Sequence, residues 1–89
     1  MLTVTLNFRR LHDCQDLYAQ LARQSACPFA FGDNLDALWD WLTGGMALPA
    51  HIRLRHLKEH KDPAQFYPII SVMQEAVISL DGELQVTID

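Results

Sequence analysis

Leu2, Val4 and Leu6 alternate with Thr3 and Thr5, a period of two in apolar and β-branched residues that predicts a short strand ending by Asn7. Asp13 has the chemistry of a helix N-cap, with Asp16 three residues on, and Cys14, Leu17, Tyr18 and Leu21 share one face of a helix of about three turns. Pro28 disfavours helical geometry at Cys27, so a loop follows over residues 28–32 before Asp33 or Asn34 caps a second helix. Gly44 and Gly45 end that helix. Beyond Pro49, the apolar Ile52, Leu54 and Leu57 alternate with Arg53 and Arg55 as a second strand, which runs into a polar turn or short helix over residues 58–61. Pro68 places the start of the next regular helix near Tyr67, and Ile69, Val72, Met73, Ala76 and Leu80 keep helical spacing after it. Asp81-Gly82 turns the chain, and Leu84, Val86 and Ile88 alternate with Gln85 and Thr87 as a last strand.

Strands separated by helical segments predict parallel pairing, because each return to the same end of a sheet needs a crossover. The expected architecture is α/β: a small three-stranded parallel sheet covered by helices, in one domain over residues 1–89, with strand order 2-1-3 and the first strand central.

Composition narrows the function. Seven Lys and Arg against eleven Asp and Glu give a net charge of −4, which repels polyanions and argues against unaided binding to nucleic acid or an anionic membrane. A basic protein partner is the better match. No apolar run reaches the length of a membrane span, and the first residues lack a basic, then apolar, leader pattern, so a cytoplasmic protein is expected. Cys14 and Cys27 are too few for a disulfide framework and read as packed, reduced thiols.

The second helix carries the chemistry. Residues 24–52 contain no Lys or Arg, yet Asp33, Asp36 and Asp40 all fall within that stretch and make it a local acidic patch. At about 100° per residue, Asp36, Trp39, Asp40 and Thr43 share one face, while Leu35, Leu38, Trp41 and Leu42 share the opposite, core-facing one. A large aromatic between two like charges at (i, i+4) on the outward side weakens an isolated helix by roughly 0.2–0.5 kcal/mol. Such a departure from local consistency marks a functional surface, and an aromatic beside hydrogen-bonding groups has the composition of a binding hot spot.

Residues 31–44, Phe-Gly-Asp-Asn-Leu-Asp-Ala-Leu-Trp-Asp-Trp-Leu-Thr-Gly, resemble the signature of the barstar family of ribonuclease inhibitors. The order of strands and helices agrees with that family over nearly the whole chain. The resemblance implies a cytoplasmic monomer that plugs the active site of a basic, secreted-type or toxin ribonuclease in a 1:1 complex, using this helix and the loop before it. It implies that Asp40 is the principal phosphate mimic and that Asp36 pairs with a further cation. Asn34, Leu35, Trp39, Thr43 and Gly44 then line the contact, with Glu75 at its periphery. Two positions depart from the family's best-known member: Ala30 and Gly45 stand where that protein has large aromatics at the rim. Trp41 occupies a variable position of the family and is expected to fill core.

The chain is therefore expected to be a binding protein and not an enzyme, with no cofactor and no metal. His56, Glu59 and His60 match H-x-x-E-H, a zinc-peptidase pattern, but a third ligand and a substrate cleft are hard to house in a chain this small. The alternatives are an immunity protein against a toxin nuclease and, in a different class, a module that self-associates through the Trp39 face. Self-association would bring Asp36 and Asp40 against their own copies.

Overall fold

The computed structural model describes residues 1–28, 31 and 34–89. Its elements in chain order are β1 (Leu2–Asn7), α1 (Cys14–Gln24), α2 (Leu35–Asp40), β2 (Ala50–Arg55), α3 (Tyr67–Ser79) and β3 (Leu84–Ile88). A π-helical turn, Trp41–Gly45, continues α2, and two 3-10 turns, Leu57–Glu59 and Pro63–Phe66, lie between β2 and α3. Local chemistry sets several of these boundaries. The Asp13 carboxylate accepts the Asp16 N–H at 2.9 Å and caps α1, and the Asp16 carboxylate accepts the His12 N–H at 2.9 Å in return. Pro68 falls in the first turn of α3, where its missing N–H costs nothing. The expected loop over residues 28–32 and the alternative cap Asp33 fall largely or wholly outside the described residues.

All three strands are parallel, as expected, but their order is β1-β2-β3, with β2 in the centre. The expected order 2-1-3 is corrected for a reason visible in β1 itself. A central first strand would have helices on both faces, and its Thr3, Thr5 and Asn7 would then be buried. In the order found, both crossovers step in the same direction across the sheet, and the general right-handed rule for such connections then lays the helices on a single face. Val4, Leu6, Ala50, Ile52, Leu54 and Leu84 are buried on that face, whereas Thr3, Gln85 and Thr87 on the other are exposed. The helices thus cover one side of the sheet.

An edge strand leaves backbone groups without partners, and here a side chain takes some of them. Gln24, at the end of α1, accepts the Thr5 N–H and donates to the Thr5 carbonyl, both at 2.9 Å. This pair ties α1 to the outer edge of β1 and blunts that edge against further strand addition. At the other side of the core, the Phe8 and Phe66 rings meet edge to face at 4.9 Å, and His60 meets Phe66 in the same way at 4.8 Å. α3 contributes Ile69, Ile70, Met73 and Ala76, and α2 packs against it through the buried Leu38. The acidic helix is therefore held by a rigid neighbour.

Candidate functional site

The start of α2 is fixed by Asn34, whose side-chain oxygen accepts the N–H of Asp36 at 2.9 Å and of Ala37 at 3.2 Å. That leaves the Asn34 amide group as a donor on an exposed residue. Asp36 and Asp40 follow one turn apart, both exposed, and neither carboxylate has a hydrogen bond or ion pair among the described residues. Asp36 sits in the first turn, where the positive end of the helix favours it; Asp40, at the last position, lacks that support.

The apolar residues of α2 depart from the expected two-sided division in two places. Leu35 was expected in the core but is 37% exposed at the first position of α2, where it borders a shallow cleft with Pro68 and Ile69 of α3. Trp39 was expected to stand out from the surface but is half-buried and packs against the core, so only part of the indole is available at the acidic face. Leu38, Trp41 and Leu42 are buried as expected.

After Asp40 the helix widens. Met46 donates its N–H to the Trp41 carbonyl at 2.8 Å, a five-residue step that closes the π turn. Thr43 spends its hydroxyl proton inside this turn, donating to the Trp39 carbonyl at 2.8 Å. The two glycines then differ sharply. A Cβ on Gly44 would meet nothing within 4 Å, so this chain's own packing does not require a glycine there. A Cβ on Gly45 would collide with the Trp41 ring. The indole of Trp41 is 8% exposed and donates through Nε1 to the Ser25 hydroxyl at 2.9 Å, and Ser25 donates in turn to the Leu21 carbonyl at 2.6 Å. Trp41 thus fills core and ties the π turn to the end of α1. Sequence reasoning placed it inside but missed Ser25, whose only signal is a polar residue at the helix end.

Glu75 lies exposed on α3, the helix against which α2 packs. Ala30 lies outside the described residues.

The histidine pattern does not assemble a metal site. His56 contacts the Glu59 carboxylate through Nδ1 at 2.7 Å, and the other Glu59 oxygen takes the Arg9 guanidinium at 2.9 Å. The Arg9 hydrogen bond is the main reason that the Glu59 carboxyl titrates below its ordinary value of 4.5. His60 turns inward instead. Its Nδ1 accepts the Asp62 N–H at 2.9 Å, which places the proton on Nε2, 2.9 Å from the Leu11 carbonyl. Both ring nitrogens are engaged by backbone, and no group of three or more metal-ligating side chains occurs among the described residues. No helix among them is long and apolar enough to cross a membrane.

A three-stranded parallel sheet covered by helices on one face defines a small α/β protein. Over residues 1–88 the chain matches the family described as Barstar (barnase inhibitor). Across 91 aligned residues, the full length of both chains, it is 30% identical to a Bacillus subtilis (strain 168) protein named "Putative ribonuclease inhibitor YrdF". The chain belongs to the barstar family, whose members are inhibitors and not enzymes.

Proposed function

We propose that this protein inhibits a ribonuclease by laying the outward side of α2 and the π turn into the enzyme's cationic cleft. The observation that carries the reading is the pair Asp36 and Asp40: two exposed carboxylates one helical turn apart, without a hydrogen bond or ion pair among the described residues, on a helix held firmly by α3. A ribonuclease must bind an anionic backbone and stabilise charge developing at phosphorus, so its cleft concentrates positive potential. Carboxylates on a rigid helix compete for the same groups, and their charge speeds encounter.

In this arrangement Asp40 takes the place of an RNA phosphate and Asp36 meets a second cation. The Asn34 amide, Leu35, the exposed part of Trp39 and Thr43 line the contact, and Glu75 adds a peripheral acidic one. Gly44 allows close backbone approach, a role supported by the empty space around it. The partner is a basic ribonuclease of the secreted or toxin type, held 1:1 by a cytoplasmic monomer that contacts neither nucleic acid nor membrane. Protection against an incoming toxin nuclease would use the same face.

The test is a titration. A ribonuclease recovered with this chain as bait should lose RNA-cleaving activity linearly and completely by one equivalent of inhibitor. Residual cleavage at several equivalents would exclude active-site blockade, and a protein that sediments as a stable dimer through the Trp39 face would favour the self-associating module.

A further inference from the structure

We propose that the free edge of β1, with Arg10 and Arg23, forms a binding site for a phosphate group, apart from the α2 face and independent of the inhibitor reading. Leu2 and Phe8 donate their N–H groups to β2-side carbonyls, those of Pro49 at 3.1 Å and Arg55 at 2.9 Å, so the alternate residues Thr3, Thr5 and Asn7 turn theirs to the free edge. Gln24 takes both backbone groups of Thr5. The Asn7 carbonyl accepts the N–H groups of Arg10 at 3.0 Å and Leu11 at 3.2 Å, and the Asn7 side chain holds the Arg9 N–H at 3.0 Å. The Asn7 N–H has no hydrogen-bond partner among the described residues.

That donor borders a cleft of about 170 Å³ whose walls include Thr5, Asn7, Arg10, Gln20 and Arg23. No carboxylate lines it, although acids outnumber bases eleven to seven in the chain. Arg23 donates from Nη2 to the Gln20 side-chain oxygen, which orients its guanidinium, whereas the Arg10 guanidinium makes no hydrogen bond or ion pair among the described residues. Two cations around one cleft repel each other, and a dianion between them reverses the sign of that interaction. Guanidinium groups match the oxygens of phosphate with paired N–H donors, and an unpaired backbone N–H beside them adds a fixed one. A carboxylate would neutralise one of the two charges; a phosphate dianion or monoester neutralises both.

The experiment follows the Asn7 amide resonance during titration with inorganic phosphate, against sodium acetate and sodium chloride at matched ionic strength, and then with uridine 3′-monophosphate. Saturable phosphate binding is expected, about tenfold weaker in Arg10→Gln as one charge-assisted contact is lost. It should vanish in Arg10→Gln/Arg23→Gln, with the thermal midpoint of both variants unchanged because both side chains lie at the surface. Tighter binding of the nucleotide would identify a phosphate monoester as the preferred source, and equal binding would identify free phosphate; both support the site. An equal response to acetate, a shift that never saturates, or undiminished binding by the double variant would overturn it.

Discussion

The indole of Trp41 lies across the Cα of Gly45: a Cβ added at Gly45 would collide with Trp41 Cε3 and Cζ3. The two positions are one turn apart, so an aromatic at the first excludes a side chain at the second. A side chain at residue 45 is thus incompatible with the indole as it lies at residue 41. Gly45→Ala should destabilise the fold by about 1–3 kcal/mol, as overpacking does in a filled interior. Trp41→Leu should suppress much of that extra cost in the double variant, a coupling that urea unfolding of both singles and the double would measure. Additive losses would mean that the two residues do not exclude each other.

His60 gives a second stability test. Its ring joins the Leu11 carbonyl to the Asp62 N–H and packs edge-on against Phe66. His60→Ala leaves both backbone groups without their partner and opens space beside Phe66, for an expected loss of about 2–4 kcal/mol in chemical denaturation. A loss below about 0.5 kcal/mol, the range of ordinary surface changes, would show that the ring only rests on the surface.

Glu59 sets a pH dependence of known sign. Its carboxyl is lowered chiefly by the hydrogen bond from Arg9, with opposition from burial and further help from the charges of Arg9 and His56. Its ionised form is favoured more strongly in the folded chain, so the contribution is fully present above the ordinary value of 4.5 and fades as pH falls through the lowered one. The pair is exposed, and the effect on stability is correspondingly small. Carboxyl-carbon NMR should place the Glu59 midpoint below 4.5, and Arg9→Gln should raise it. An unchanged midpoint in that variant would remove Arg9 as the cause.

Much of this architecture was legible in the chain. Alternation at Leu2, Val4 and Leu6, at Ile52 and Leu54, and at Leu84 and Val86 marked all three strands, and Asp13, Asn34 and Pro68 marked three helix starts. Strand order was misread because connectivity alone permits a central first strand; the polar Thr3, Thr5 and Asn7 held the answer, since a strand covered on both faces cannot alternate so cleanly. Helical periodicity placed Asp36 and Asp40 outward but did not reveal the half-burial of Trp39. That depends on how α2 leans on α3 and on the wider turn at Trp41, which a fixed 100° step does not represent. The Gln24 clasp on Thr5 and the Trp41–Ser25 hydrogen bond join residues far apart in sequence, so local pattern does not show which residues they pair.

The central claim is that Asp40 occupies the position of an RNA phosphate in the partner's cleft. Its most direct test is the dissociation rate of the complex with the captured ribonuclease, for wild type and for Asp40→Ala, whose exposed side chain leaves the fold intact. Truncating one member of a buried, hydrogen-bonded interfacial charge pair costs about 2–5 kcal/mol and acts mainly on dissociation. The account predicts dissociation at least about thirtyfold faster for Asp40→Ala. Equal dissociation rates for the two proteins would contradict it.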